Sequence, residues 1–457
     1  TTAPLLLSGV LGDRYGRVRI FFIGMATFGL AALACGLSQS YAQLLVFRAI
    51  QGCGASMMAS VGLAILHYHT PAQKRGQAIG TWASLTTIII AIGPATAGII
   101  TRLSDWHLVF LINVPFALLA LWVAKKHVPE NRSDHPASRI SWFSTLLLLL
   151  GMSALLFGVI EVSRSGRSLY LMAFLITGGL AFLVYFFYRQ IHRNNALIPS
   201  EVFGYRRFIA INLVTLCQWM AISGLFFLLP LQLQWTQGYD VLETGLSMLP
   251  TSISIMLVSR LSGRLSDRYG PFWPMAFGIS CIGLSMAWLA TAPSLQTYWS
   301  ELFPITVLYG LGLGGLIAPL TAVAMNSLPV RFSGVASGVN NSAARIATMV
   351  AVALMGSLMV ILFEPTLQNA LVSLDLHPSV QNQLLAQASL LGNIDTSMIE
   401  NSQTRLQLQG LISDSIADTF SRIMWFCALV SVLSLVLISY YHWRNPSQRA
   451  SFWPADN

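Results

Sequence analysis

Apolar residues in this chain neither alternate with polar ones nor recur every three or four positions; they come in unbroken runs separated mostly by short polar stretches. A run of roughly 20 such residues crosses the hydrocarbon of a bilayer as a helix, which satisfies its own backbone there. Twelve runs reach spanning length, at residues 19–37, 42–66, 76–100, 108–124, 140–160, 168–188, 208–230, 242–260, 272–290, 302–325, 334–362 and 418–441. All are rich in Leu, Ile, Ala and Gly, and none shows the period of two of a barrel strand. The predicted fold class is therefore an all-α polytopic membrane protein. Residues 1–10 form an apolar stretch of half that length, read as the rest of a helix that begins upstream of Thr1. No charged start followed by a small-residue cleavage site marks a signal peptide.

Composition agrees with the pattern. Of 457 residues, 55% are hydrophobic and 9% charged, against roughly 25% charged in a soluble domain, so most of the surface must face lipid. The net charge of +9 does not describe a nucleic-acid surface, because the bases lie in short stretches between apolar runs. Of the 26 Lys and Arg, nineteen fall in one set of alternate loops and adjoining helix ends, and only Arg102, Arg164, Arg167, Arg405 and Arg422 in the other. The positive-inside rule assigns the richer set, beginning with Arg14, Arg17 and Arg19, to the cytoplasm. Cys35, Cys53, Cys217, Cys281 and Cys427 each stand alone in an apolar run and read as packing residues. His67, His69, His107 and His127 lie at loops or interfaces, and no metal-ligand set, nucleophile set or phosphate loop is present, so neither enzyme chemistry, a metal nor a cofactor is expected.

Two internal echoes fix the architecture. Gly9-Val10-Leu11-Gly12-Asp13-Arg14-Tyr15-Gly16 returns as Gly263-Arg264-Leu265-Ser266-Asp267-Arg268-Tyr269-Gly270, an offset of 254, and the pair Gly76 and Gly80 returns as Gly334 and Gly338, an offset of 258. At roughly 30 residues per helix and loop, such an offset is about eight helices, so the repeats are parallel, with two helices inserted between six-helix halves. The expected organisation is an N-terminal half at 1–124, a cytoplasmic loop at 125–139, two inserted helices at 140–190, a C-terminal half at 191–442 and a cytoplasmic tail at 443–457. The C-terminal half contains the one long outer loop, 364–417. That loop carries Glu364, Asp375, Asp395, Glu400 and Asp414 against the single base Arg405. Its runs around Leu384 and Leu408 are expected to form short amphipathic helices, as a cover or as a surface for a periplasmic adaptor.

The Asp-Arg-Tyr-Gly loops are the first candidates for chemistry. An Asp beside several arginines at a helix end suits charge pairs between helices that hold one face closed, which nominates Gly9, Asp13, Arg14, Gly16, Arg17, Asp267 and Arg268 as gating residues. Arg48 lies about seven residues into an apolar run, roughly 10 Å down at 1.5 Å per residue, where a guanidinium is costly and marks an ion or proton pathway or bonds backbone carbonyls. In the following run Gly93, Pro94 and Gly98 allow close helix approach and a bend. Trp82, Trp219, Met220, Phe226, Met248 and Tyr309 supply the aromatic and thioether surface that flat lipophilic cations favour. Asn113 and Gln218 are polar groups within apolar spans that serve either as pocket donors or as interhelical bonds.

The first loop resembles the major facilitator superfamily pattern Gly-x-Leu-x-Asp-Arg-x-Gly-Arg, here Gly9, Leu11, Asp13, Arg14, Gly16 and Arg17. Arg48, Gln51, Gly52 and Gly54 are similar to the family's next signature, and Gly80, Gly93, Pro94 and Gly98 to its antiporter signature, with Ile89 and Ala97 in place of two family glycines. Trp106 with Phe110 through Pro115, and Ile198-Pro199 through Phe208, are similar to signatures of the 14-helix drug:proton antiporter branch. The resemblance implies a multi-pass exporter of the bacterial inner membrane that exchanges small lipophilic, cationic drugs for protons by alternating access. It further implies proton coupling at Arg48 and a titrating acid on a preceding helix. Export of an endogenous metabolite or siderophore, and an inactive membrane scaffold, are the competing readings.

Overall fold

The computed structural model describes residues 2–444 apart from 72–73, 131–141, 163–168, 193–198, 293–296, 330–331, 373, 375–376, 398 and 400. Side chains of some further helical residues, Asp13, Pro94 and Gly98 among them, lie outside the described residues. Helices account for nearly all of it: α1 (Thr2–Tyr15), α2 (Arg17–Gly36), α3 (Tyr41–His69), α4 (Arg75–Leu103), α5 (Leu108–Leu111), α6 (Asn113–His127), α7 (Trp142–Val162), α8 (Leu169–His192), α9 (Arg206–Thr236), α10 (Val241–Ser247), α11 (Leu249–Tyr269), α12 (Phe272–Thr291), α13 (Phe303–Asn326), α14 (Ser333–Leu371), α15 (Pro378–Ala386) and α16 (Ser402–Arg444). Among the described residues there is no strand, and ten helical segments are long and apolar enough to cross a membrane.

Helices end where the backbone requires it. Gly16 and Gly270, the last residues of the two echoed loops, both have positive φ (106° and 88°), a conformation that costs any L side chain and lets one helix stop and the next start almost at once. The short connection after Tyr15 leaves the first N–H groups of α2 without helical partners. Glu130, beyond the end of α6, fills that need: its two carboxylate oxygens accept from Val18 N and Arg19 N, each at 3.0 Å.

The largest buried cluster lies within α9–α16, where Leu228, Leu229, Leu233, Ile282, Met286 and Phe363 are almost wholly enclosed. The helices α7 and α8 pack on each other and dock, through Leu148, Met152 and Phe186, into a second cluster shared with Leu7 of α1, Phe208 of α9 and Val335 of α14. Between the N-terminal and C-terminal helices the main contacts are α4 with α11 and α1 with α14, and smaller ones join α4 to α13 and α3 to α14.

The outer loop differs from expectation. In place of a short helix around Leu408, a single helix of 43 residues runs from Ser402 to Arg444, while α14 extends to Leu371. The reason is a stripe at four-residue spacing, Leu408, Ile412, Ile416 and Phe420, all buried against the extended end of α14, with no proline to interrupt it. The expected run around Leu384 does form a short helix, α15. Replacing Leu408, which is fully buried, by alanine is expected to cost about 2–5 kcal/mol and lower the thermal midpoint. Replacing Leu406, 70% exposed and two residues away, should leave the midpoint nearly unchanged in the same melting experiment.

Candidate functional site

The echoed glycines meet one another. Gly9 of α1 faces Gly334 and Gly338 of α14, and Gly76 of α4 faces Gly263 of α11: each motif of one half rests on the other motif of the opposite half. At Gly76 an added Cβ would lie 2.7 Å from the carbonyl oxygen of Gly263 and 2.6 Å from the Asp267 carboxylate. One turn on, Gly80 rests on the Ser259 backbone. Both seams lie at the helix ends that carry the basic loops, hereafter the basic face.

Polar groups lock the seams. The Asp267 carboxylate accepts from Gly76 N and Gln77 N, both at 3.0 Å, so α11 caps the start of α4, where the helix dipole and unpaired N–H groups favour an anion. Asp267 was expected to pair with an arginine of a neighbouring helix, but its described bonds go to this backbone instead. The arginines of the two loops each stack on the adjacent tyrosine, Arg14 at 5.7 Å from the Tyr15 ring centre and Arg268 at 5.2 Å from that of Tyr269. Arg17 does cross between halves: it is buried, and its Nη2 donates to Ser333 Oγ at the start of α14.

Ser337 Oγ donates to Ser60 O at 2.6 Å. At the ends of α3 and α13, His67 Nε2 lies 2.9 Å from Asn326 Oδ1, which also accepts from Arg75 Nη1 at 3.2 Å. His67 and Asn326 are 259 residues apart, close to the repeat offset, so these two occupy corresponding positions of the two halves. His67, which the sequence placed at a loop or interface, is buried, and Asn326, Ser60, Ser337 and Glu130 were not singled out by sequence reasoning. Corresponding positions near the repeat offset were the available signal for the first two.

The Gly93 site behaves otherwise than its motif suggested. Among the described residues an added Cβ there meets nothing within 4 Å, so the described close approach of α4 is at Gly76 and Gly80.

Arg48 lies toward the opposite face. Its Nη1 donates to Gln51 Oε1 at 3.2 Å, and its guanidinium sits 4.4 Å from the Phe110 ring centre, a cation–π geometry. Among its described contacts there is no carboxylate. Beside it Trp106 stacks on His107, ring centres 3.8 Å apart, and both imidazole nitrogens are engaged. Nε2 lies 3.0 Å from Ser38 O and Nδ1 2.8 Å from Asp105 Oδ2, so the ring holds two acceptors and favours the imidazolium. The Ser38 carbonyl and Asp105 raise the His107 pKa, while His107 lowers that of Asp105.

The expected substrate residues are not gathered in one pocket. Trp82 is partly exposed on α4, and Asn113 Nδ2 is spent on the carbonyls of Val109 and Phe110 in its own turn. Tyr309 is buried in the C-terminal core, donating to Ile222 O at 3.1 Å with its ring edge-on to Phe226. Trp219, Met220 and Met248 pack against the same core. Gln218 is fully buried, and among the described residues neither amide atom has a hydrogen-bond partner, an arrangement that costs about 1–3 kcal/mol.

Over residues 2–352 the chain matches the Major Facilitator Superfamily, and it belongs to that family. It is 28% identical over 416 residues to multidrug resistance protein Stp of Mycobacterium tuberculosis (strain CDC 1551 / Oshkosh), covering 89% of this chain and 74% of the relative. To the tetracenomycin C resistance and export protein of Streptomyces glaucescens it is 31% identical over 362 residues, with coverages of 78% and 66%. Across several curated relatives the chain spans between 61% and 76% of the relative's length. In three dimensions it is similar to the human organic anion transporter MFSD10, with a TM-score of 0.60, 14% identity, and coverage of 96% of this chain and 80% of that one; this likeness concerns the fold alone. The chain is thus a multi-pass member of a transporter family and not an enzyme.

The contacts of His107 with Asp105 and Ser38 make a pH prediction. Because the His107 pKa is raised on folding, its contribution to stability is fully present below the ordinary histidine value of 6.5 and is lost as pH rises through the higher folded value. The difference in melting temperature between the protein and its His107→Gln variant should be largest in acid and close toward alkaline pH. A difference constant across that range would contradict the imidazolium assignment.

Proposed function

We propose that this protein exports amphiphilic drugs across the bacterial inner membrane in exchange for protons, by alternating access between two halves, α1–α6 and α9–α16. The observation that carries the reading is the reciprocal sealing of one face. The described hydrogen bonds between N-terminal and C-terminal helices fall at the basic face, cytoplasmic by the positive-inside rule, and paired seams of this kind suit a rocking of one half against the other. The names of the relatives, one a multidrug resistance protein and one a resistance and export protein, support an export direction and a drug-like cargo.

In this mechanism Gly9, Gly16, Asp13, Arg14, Arg17, Asp267 and Arg268 belong to the closing apparatus of the cytoplasmic face. Gly93, Pro94 and Gly98 give α4 freedom to bend as the halves exchange positions. Arg48 supplies a fixed positive charge near the outer side, held by Gln51 and Phe110, which lowers the proton affinity of an exchanging acid; bound cationic cargo lowers it further, so the acid gives up its proton as cargo binds and regains it when the cargo leaves. Gln218 and Tyr309 act from the core of the C-terminal half by positioning α9 and α13.

The test is uptake of ethidium into inverted vesicles driven by a pH gradient. The protein is expected to accumulate the dye until a protonophore collapses the gradient, and Arg48→Ala to lower the initial rate tenfold or more, about 1.4 kcal/mol of barrier. Uptake indifferent to the protonophore, or unchanged by Arg48→Ala, would contradict the coupling; no uptake by well-folded protein would favour metabolite export or a scaffold.

A further inference from the structure

The docking of the inserted pair leaves a gap. Between α7–α8 and α9–α14, in the half of the membrane nearer the basic face, lies a groove of about 440 Å³, within the roughly 300–1,000 Å³ range of small-molecule sites. Its wall includes Phe186, Phe187, Phe203 and Phe208 with Met152. Phe186, Phe208 and Met152 are buried, whereas Phe187, Ile209 and Leu213 at the mouth are 51%, 45% and 47% exposed and face the lipid.

One polar atom in this wall is unaccounted for. Ser342 of α14 lines the groove and is 3% exposed, yet among the described residues its hydroxyl has no hydrogen-bond partner. A buried serine in a helix ordinarily donates to a carbonyl one turn back, as Ser434 does to Val430 O. The amides around Ser342 offer nothing. Asn212 Nδ2 donates to Phe208 O at 2.8 Å. Its Oδ1 accepts from Asn340 Nδ2 at 3.3 Å, which also donates to Thr215 Oγ1 at 3.1 Å.

We infer that this groove is a binding site for an uncharged, planar aromatic molecule carrying a carbonyl, which enters laterally from the lipid, stacks among the phenylalanines and accepts a hydrogen bond from Ser342 Oγ. An acyl chain would leave the hydroxyl unsatisfied and gain nothing from aromatic walls. A cation finds no carboxylate, since no lining residue is charged, while Arg189 and Arg207 stand on the helices α8 and α9 that form the walls. A neutral acceptor meets all three conditions: aromatic contact, a satisfied hydroxyl, and no buried charge. The inference rests on the export reading in one respect: the site is the place where uncharged aromatic cargo dissolved in the lipid is first held, and it gives the inserted helices a task of their own.

Benzophenone, an uncharged ketone with two flat rings twisted about the carbonyl, attaches to nearby C–H bonds on illumination, and anthraquinone is a planar relative of it, so the test is photolabelling of the protein in phospholipid nanodiscs, mapped by peptide mass spectrometry. Adducts are expected on the α7 segment around Met152 and the α14 segment around Ala343, and excess anthraquinone should displace them. Ala343→Trp, which fills the groove, should abolish the labelling. Ser342→Ala, which leaves its shape intact, should weaken competition by anthraquinone roughly two- to tenfold, as loss of one hydrogen bond requires.

A benzophenone bearing a trimethylammonium group should label these segments poorly. Equal labelling by the cationic reagent, anthraquinone competition unaffected by Ser342→Ala, or displacement by added phospholipid alone would overturn the inference. Labelling is read without transport: absence of groove adducts in protein that still drives ethidium uptake would sink this site and spare the exporter reading. Adducts in protein that transports nothing would do the reverse.

Discussion

Where α4 meets α11, and again where α1 meets α14, backbone rests on backbone with no room for a side chain between. Small residues permit this in membrane helices, where association relies on close packing and hydrogen bonds because lipid is as apolar as the helices themselves. The remaining closing contacts depend on that separation. Asp267 reaches the first N–H groups of α4 only because Gly76 and Gly263 bring the helix ends together. Arg17 with Ser333, Ser337 with Ser60, and His67 and Arg75 with Asn326 span the same closed face. A methyl group at a seam would therefore loosen a whole set of bonds at once.

The repetition in the sequence gives this arrangement its symmetry. As in a two-fold dimer, where patch i meets j and patch j meets i, the loop motif of each half meets the glycine pair of the other. Closure of a face then needs two copies of one solution, and His67 and Asn326, nearly one repeat offset apart, meet between them.

Much of this was legible in the chain. Uninterrupted apolar runs fixed the helices, because lipid admits no other use of them, and the positive φ of Gly16 and Gly270 explains why the echoed loops end in glycine. The echoes themselves pointed to the seams, although not to their chemistry: sequence paired Asp267 with arginine, whereas the helix start of α4 offers two parallel donors that a distant guanidinium cannot match in geometry. The length of α16 was missed because the Leu408 stripe is amphipathic and lies outside the apolar run, so only its packing on α14 joins it to the span. The substrate surface was the least legible part. Aromatic and amide residues in apolar runs look alike whether they face a path, a core or lipid, and Tyr309 and Gln218 turned out to lie in a core.

The most direct test of the glycine seams is a pulsed electron spin distance between labels at two exposed positions of the basic face, Lys74 beside α4 and Arg264 on α11, in the otherwise unchanged protein and in its Gly76→Val variant. Steric closure by glycine predicts one short, narrow distance in the parent and a second, longer population in the variant, since valine cannot share the space of the Gly263 carbonyl and the Asp267 carboxylate. An unchanged narrow distribution in folded Gly76→Val protein would contradict the account.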